Sequence, residues 1–234
     1  MWRLLVLTFL ALSVACSGGP EPAPPSAQRA PSAQSGPSAE RAPSAPTTAA
    51  KPRIVFLGDS LTAGLGLASD KSFPALISQK LKARGLDYQV VNAGVSGDTS
   101  AGGLRRLDWS LEGDVRLLFL ALGANDGLRG LPVAEMKKNL AAVLDRAAAK
   151  GIPVILAGME APPNYGVDYT REFRNAYADL ASQYNVRFIP FLLLGVAGES
   201  SLNQADGIHP NVRGAEIVAD LVWKELEPAL SRRN

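Results

Sequence analysis

The sequence is poor in the side chains from which metal centres and disulfide bonds are built. It contains one histidine, His209, and one cysteine, Cys16, among 234 residues. Two such ligands far apart in the chain cannot form a typical zinc site, which needs three or four protein ligands. A single cysteine also excludes a disulfide bond within the chain. We therefore expect a protein that works without a metal and without another cofactor.

Clustered positive charge is also absent. The 24 lysine and arginine residues are nearly balanced by 22 aspartate and glutamate residues, and they form no basic cluster. This balance argues against nucleic acid as a partner, because nucleic-acid-binding proteins carry basic patches that neutralise phosphates. Hydrophobic residues make up 47% of the chain, as is usual in a globular protein. We predict one domain over residues 51–234, with enough chain for a substantial core, and expect it to be monomeric.

The N-terminal segment has the pattern of an export signal. Arg3 precedes an apolar stretch of about 11 residues, which is too short to span a bilayer because a helical span needs about 20. The string SVAC that ends at Cys16 resembles a bacterial lipobox, although Ser13 stands where leucine is commonest. We therefore predict a signal peptide over residues 1–15 and a lipoprotein anchored through Cys16 to a membrane on its periplasmic side. The alternative is an ordinary signal peptide that leaves a soluble periplasmic protein.

Residues 16–50 are rich in alanine, proline and serine, and the string RAPSA recurs at Arg29 and Arg41. Such a segment has too few large apolar side chains to offset the entropy that ordering would cost. Its prolines favour the extended polyproline II conformation. We predict a disordered tether that holds the domain away from a membrane.

The sequence after Lys51 alternates short apolar runs with patterns of helical spacing. The runs are rich in aliphatic residues, as expected of buried parallel strands. Strands are predicted at residues 53–57, 88–91, 115–122, 153–157 and 186–191, and helices at 73–85, 98–111, 132–150, 169–184 and 212–226. Five strands that alternate with helices predict an α/β protein with a parallel sheet covered on both faces.

Polar strings that contain glycine follow four of the predicted strands. They are GDS at 58–60, NAGVSGD at 92–98, GAND at 123–126 and DGIH at 206–209. In a parallel sheet the ligand site lies outside the carboxyl ends of the strands, so the four strings are predicted to meet at one edge. Two of their carboxylates receive structural roles: Asp59 is expected to hold its loop through side-chain-to-backbone bonds, and Asp98 to cap a helix.

The same strings contain the groups of a nucleophilic site. Asp206, three residues before His209, can accept the imidazole Nδ1–H and leave Nε2 free as a base for Ser60. The backbone N–H groups of Ser60 and Gly97 and the side-chain amide of Asn125 would surround a developing oxyanion. The predicted reaction is acyl transfer to water through an acyl-serine.

The four strings resemble the sequence blocks of the GDSL/SGNH hydrolases, and most closely those of the bacterial thioesterase I/lysophospholipase L1-type arylesterases. The blocks are GDSL at 58–61, SGDTS at 96–100, GANDG at 123–127 and DGIHP at 206–210. The resemblance implies a three-layer α/β/α fold with a flavodoxin-like five-stranded parallel sheet, and ester or thioester hydrolysis without a metal. Matched block to block, it assigns a catalytic triad of Ser60, Asp206 and His209 and an oxyanion hole of Ser60, Gly97 and Asn125.

The substrate is predicted less directly. An apolar run at 191–194 and the segment containing Pro163 and Tyr165 would flank Ser60, so these two residues are candidates for substrate binding. We expect short- to medium-chain acyl esters or thioesters, with aryl esters and lysophospholipids among them. The alternative is a carbohydrate acetyl esterase that acts on cell-envelope polysaccharide.

Two other classes of protein are alternatives to an esterase. The string GLG at 64–66 hints at a nucleotide-binding loop, but the third glycine is missing and no Gly-Lys-Ser/Thr follows. A lipoprotein that kept the fold and lost catalysis is the other class, and the intact Ser60, Asp206 and His209 argue against it.

Overall fold

The computed structural model describes residues 51–231. The predicted signal peptide, the lipidation at Cys16 and the tether lie outside the described residues, as do residues 232–234 of the predicted domain. None of the helices between 51 and 231 combines the length and the apolar character that crossing a membrane requires.

Five strands form one parallel sheet, as the alternating pattern predicts. They are β1 (Arg53–Gly58), β2 (Gln89–Gly94), β3 (Val115–Ala121), β4 (Val154–Ala157) and β5 (Arg187–Ile189). The spatial order is β2-β1-β3-β4-β5, and every neighbouring pair is parallel. This is the flavodoxin-like order, in which the direction of chain progression reverses between β1 and β3 and ligands bind outside the carboxyl ends beside that point.

Helices cover both faces of the sheet. They are α1 (Ser60–Ala63), α2 (Phe73–Ala83), α3 (Ser100–Arg105), α4 (Leu107–Ser110), α5 (Ala124–Leu128), α6 (Val133–Ala149), α7 (Val167–Gln183) and α8 (Val212–Ser231). Helix α2 packs against α8, whereas α6 packs against α3 and α7. Successive residues of β1 after the first are all buried, as a strand covered on both faces must be. The expected three-layer α/β/α fold is therefore confirmed.

Three phenylalanine rings fix the strand that leads into the predicted site. Phe56 of β1 and Phe119 of β3 are register partners, and their ring centroids lie 5.1 Å apart. Phe73, at the start of α2, meets Phe56 edge-on at 5.7 Å. Complete burial of such a side chain contributes about 1.5–3 kcal/mol, so this cluster holds β1 firmly between its neighbours.

The helix predicted over 98–111 is two short helices, because the chain leaves the helical conformation at Arg106 (φ −103°, ψ 8°). The prediction that Asp98 caps the start of this helix is also wrong. Thr99, not Asp98, caps α3 by accepting a hydrogen bond from the Gly102 N–H at 3.3 Å. The Asp98 carboxylate instead pairs with Arg106 Nε at 2.6 Å. Threonine and aspartate are both good caps, so only a long-range partner decides between them.

Candidate active site

Ser60 lies at the tight turn where β1 ends and α1 begins. The Leu61 N–H donates a hydrogen bond to Asp59 Oδ1 at 3.0 Å, which is the side-chain-to-backbone contact expected of Asp59. Gly58 has no room for a side chain, because a Cβ there would overlap Thr62 and approach the Ala121 carbonyl oxygen to 2.9 Å. Since Ser60 opens the helix, its own N–H has no partner inside α1. The turn therefore supplies a hydroxyl and a backbone N–H donor at one point.

Ser60, His209 and Asp206 form a continuous hydrogen-bonded line. His209 Nε2 lies 2.9 Å from Ser60 Oγ, and His209 Nδ1 lies 2.7 Å from Asp206 Oδ2. The Asp206 Oδ1 accepts hydrogen bonds from the backbone N–H groups of His209 at 3.0 Å and Ile208 at 2.9 Å. These hydrogen bonds, chiefly the one from the His209 backbone, lower the pKa of Asp206 to about 2. An ionised Asp206 holds the proton on Nδ1 and leaves Nε2 as the acceptor that faces Ser60.

The loop that carries His209 is fixed on both sides. The Gln204 N–H donates to the His209 carbonyl oxygen at 2.7 Å, and the Gln204 side-chain amide donates to the Leu65 carbonyl oxygen at 2.7 Å. Asn203 and Pro210 form a single antiparallel bridge that closes the loop. The imidazole is thereby held by local hydrogen bonds and by one contact to the segment after α1.

The three predicted oxyanion donors lie on three neighbouring strand ends. Gly97 has φ +84° and occupies the third position of a turn closed by the bond from the Asp98 N–H to the Val95 carbonyl oxygen at 3.1 Å. A positive φ at that position favours glycine. The Asn125 amide, in α5 after β3, donates to the Asp98 carbonyl oxygen at 3.0 Å. The loop after β2 and the helix after β3 are thus tied together beside Ser60.

Asp59 is a buried carboxyl group directly behind the serine. It is 1% exposed, and burial raises its pKa to about 6, against the opposing effect of the hydrogen bond from Leu61. Its Oδ2 lies 3.4 Å from Asn125 Nδ2. At neutral pH the carboxylate is mostly ionised, so it attracts the amide of Asn125 and would stabilise a positive charge on His209.

A groove of about 590 Å³ opens over Ser60 and His209. Apart from Ser60, Asn125, His209 and Glu160, the residues that line it are apolar or glycine; they include Leu128, Met159, Ala161, Pro162, Pro163, Phe191, Leu193 and Ile208. The single acidic side chain among them, Glu160, pairs with Arg174 at 3.2 Å. A groove of this volume and lining suits an acyl chain or a small aromatic group.

The two predicted substrate-binding residues are placed differently. Pro163 lines the groove. Tyr165 donates its hydroxyl to the Leu128 carbonyl oxygen at 3.0 Å, and its ring packs over Gly130. Tyr165 therefore reaches the groove through Leu128, whose backbone it supports. Sequence reasoning missed Met159 and Ile208; their apolar character and their positions after β4 and beside His209 were the signals available.

The residues of this site fall within one family match. The sequence profile described as "GDSL-like Lipase/Acylhydrolase family" matches residues 56–217, which include Ser60, Gly97, Asn125, Asp206 and His209. Between residues 51 and 231 no group of three or more histidine, cysteine, aspartate or glutamate side chains could hold a metal ion.

Similar proteins cover most of the chain. The curated protein "Esterase TesA" of Pseudomonas aeruginosa is 43% identical over 183 residues, which are 78% of this chain and 91% of the relative. "Thioesterase 1/protease 1/lysophospholipase L1" of Escherichia coli K12 is 35% identical over 184 residues, which are 78% of this chain and 87% of the relative. The crystal structure of the psychrotrophic esterase EstA from Pseudoalteromonas sp., inhibited by monoethylphosphonate, has a TM-score of 0.73 at 36% identity and covers 76% of this chain and 98% of its own.

Proposed function

Since the chain belongs to the GDSL-like lipase/acylhydrolase family and is a serine ester hydrolase, we propose that Ser60 is its nucleophile, His209 its general base and Asp206 the carboxylate that orients His209. The observation that carries this assignment is the line of hydrogen bonds from Asp206 through His209 to Ser60, with lengths of 2.7 and 2.9 Å. His209 is also the one histidine in the sequence, so no other imidazole competes for the role.

The first half-reaction acylates the serine. Ser60 Oγ attacks the carbonyl carbon of the ester while His209 Nε2 accepts the hydroxyl proton. The resulting tetrahedral intermediate carries its negative charge on the former carbonyl oxygen. When that intermediate collapses, the bond to the leaving oxygen or sulfur breaks, and the imidazolium returns the proton to it as an alcohol or a thiol. The acyl group remains on Ser60.

The second half-reaction releases the acid. A water molecule occupies the place of the leaving group, His209 takes one of its protons, and the oxygen attacks the acyl-serine carbonyl carbon. Collapse of the second tetrahedral intermediate expels Ser60 Oγ, which recovers its proton from His209. Asp206 stays ionised throughout and stabilises the imidazolium without accepting its proton.

The proposed oxyanion hole consists of the N–H groups of Ser60 and Gly97 and the side-chain amide of Asn125. The bond from Asn125 to the Asp98 carbonyl oxygen fixes the plane of that amide. The contact between Asn125 Nδ2 and Asp59 Oδ2 is 3.4 Å, which is long for a hydrogen bond, so the second amide N–H has no strong partner there and is available to an oxyanion. Loss of one such donor typically costs about 3–4 kcal/mol in the barrier.

The proposed substrates are short- to medium-chain acyl esters and thioesters, with aryl esters and lysophospholipids among them. The apolar groove over Ser60 supports an acyl chain of this kind. Large apolar side chains are also exposed on the loops and helix ends around the same edge of the sheet, including Leu65, Val95, Leu128, Leu131, Val167, Leu194 and Ile208. Such a surface suits an amphiphilic substrate better than a sugar polymer. The printed name of the E. coli relative includes both thioesterase and lysophospholipase.

Acyl length tests this proposal. On nitrophenyl esters from acetate to dodecanoate, kcat/KM should rise by up to about fourfold for each methylene that the groove buries, and then level off. Leu193→Ala should flatten the rise because Leu193 lines the groove, whereas Ile217→Ala, exposed on α8, should leave it unchanged. A flat profile in the wild type, or activity on acetylated sugars alone, would favour the carbohydrate acetyl esterase instead.

We also propose that the mature protein is a lipoprotein anchored through Cys16 to a membrane on the periplasmic side. The support is the sequence pattern, because the chain's one cysteine ends a lipobox-like string after an export signal. Cells fed radiolabelled palmitate should incorporate the label into the wild-type protein and not into Cys16→Ser. An unlabelled wild-type protein found in the soluble periplasmic fraction would establish the alternative of an ordinary signal peptide.

A further inference from the structure

One guanidinium group connects the segments that carry the proposed oxyanion donors. Arg106, at the end of α3, donates from Nη2 to the Gly58 carbonyl oxygen and from Nη1 to the Ala93 carbonyl oxygen, both at 2.7 Å. Its Nε donates to Asp98 Oδ2 at 2.6 Å. The side chains of Arg106 and Asp98 are each only 18% exposed, so water screens this ion pair weakly.

Each acceptor lies at a position that controls an oxyanion donor. Gly58 is the last residue of β1, two residues before Ser60. Ala93 precedes the turn that carries Gly97, and Asp98 ends it. Arg106 therefore bonds to the chain on both sides of Gly97. The Asp98 backbone carbonyl oxygen also accepts the hydrogen bond from the Asn125 amide at 3.0 Å. The Arg106 guanidinium therefore contacts, directly or through Asp98, the segments that carry all three proposed oxyanion donors.

The surrounding sequence leaves space for this arrangement. A Cβ on Gly102 would lie 2.5 Å from Asp98 Oδ1, so a larger residue there would push the carboxylate away from Arg106. The Gly58 carbonyl oxygen also accepts the Val95 N–H at 3.1 Å, which joins the ends of β1 and β2 at the same point. None of these groups lines the groove over Ser60.

We propose that Arg106 is a positioning residue that sets the geometry of the oxyanion hole through Gly58, Ala93 and Asp98. This proposal rests on the oxyanion role given above to Ser60, Gly97 and Asn125. A lysine ammonium is a point charge on a flexible stem, and it cannot reproduce the fork that reaches three separate acceptors. Misplacement of donors by about 1 Å is enough to lower a catalytic rate by about 100-fold.

The test compares two adjacent arginines in the full chain. Arg106→Lys should lower kcat on nitrophenyl butyrate by about 10- to 100-fold and change KM by less than about threefold, because the groove that binds the acyl chain is untouched. Arg105→Lys is the matched control, since Arg105 is the preceding residue and its side chain is exposed, and it should keep wild-type kcat. A purely structural role would instead lower the amount of folded enzyme without changing kcat per active site, counted by titration with a phosphonate.

A transition-state analogue separates the oxyanion hole from ground-state binding. Phenylboronic acid forms a tetrahedral adduct with a catalytic serine, so its inhibition constant should rise for Arg106→Lys by about the factor that kcat falls, while inhibition by the product butyrate should stay unchanged. Equal kcat and equal boronate inhibition in Arg106→Lys and the wild type would overturn the proposal. If the wild type were not labelled by the phosphonate at Ser60, the proposed function would have failed instead.

A second variant decides the matter if Arg106→Lys does not fold. Asp98→Ala removes the carboxylate acceptor and leaves the bonds from Arg106 to the two carbonyl groups in place. We expect a loss in kcat of about tenfold, with boronate inhibition weakened to match and KM nearly constant. An unchanged kcat in Asp98→Ala would contradict the proposal, because the contact between Arg106 and Asp98 would then not be needed to position Gly97.

Discussion

Replacement of Ser60 by alanine should lower kcat on nitrophenyl esters by about 10⁴- to 10⁶-fold, because no acyl-enzyme can form without the hydroxyl. The fold should be unaffected, since the Ser60 hydroxyl makes one side-chain contact, with His209 Nε2 at 2.9 Å. Ser182→Ala is a suitable control, because Ser182 is exposed on α7. Initial rates of nitrophenol release, with thermal unfolding measured in parallel, give the comparison.

Covalent labelling by a serine-directed phosphonate tests the same assignment of Ser60 as the nucleophile. Intact-mass analysis should show one phosphonyl adduct on the wild type and on Ser182→Ala, and none on Ser60→Ala. The related EstA structure, which was inhibited by monoethylphosphonate, makes such a reagent a reasonable choice. Retention of wild-type turnover by Ser60→Ala would refute the nucleophile assignment.

Replacement of His209 by alanine should reduce kcat by a similar factor of about 10⁴ to 10⁶, because Ser60 would then lose the base that takes its proton. The double variant Ser60→Ala/His209→Ala should be no slower than either single variant, since the two groups act as a unit. A double variant that loses the product of the two single factors would show that they act independently.

The pH dependence of the wild type follows from the same assignment. kcat/KM should fall towards acid, because only a neutral imidazole can accept the serine proton. Asp206 adds nothing to this fall above about pH 4, because its pKa of about 2 keeps it ionised there. Asp59, with a pKa of about 6, also gains a proton as the pH falls below 6, and its attraction for the Asn125 amide then weakens. Measurement of kcat/KM from about pH 4 to pH 9 checks this, and a rate that stays constant well into the acid range would exclude His209 as the base.

The sequence predicted the sheet because its strands are local features. Five short apolar runs between glycine and proline residues are enough to define buried parallel strands. All five strands were found, although β2 extends to Gly94 and β5 is limited to Arg187–Ile189. Polar strings after four of those strands were enough to select the residues around Ser60, because parallel strands end at the same edge.

The details that long-range contacts control were not available from the sequence. The break between α3 and α4 falls at Arg106, whose side chain reaches back to the ends of β1 and β2. Asp98 leaves the capping role to Thr99 because Arg106 is within reach of its carboxylate. Met159 and Ile208 line the same groove although they are distant in the chain.

The sequence by itself determined the order of strands and helices along the chain and singled out the residues proposed to react, because both depend on spacing over a few residues. The tertiary structure alone decided that His209 Nε2 lies 2.9 Å from Ser60 Oγ across a separation of 149 residues, and that the half-buried Arg106 bonds to the ends of both β1 and β2. Such contacts form between side chains whose positions are set by strand register and by the closing of loops. The spacing of hydrophobic residues in the sequence does not predict these long-range contacts.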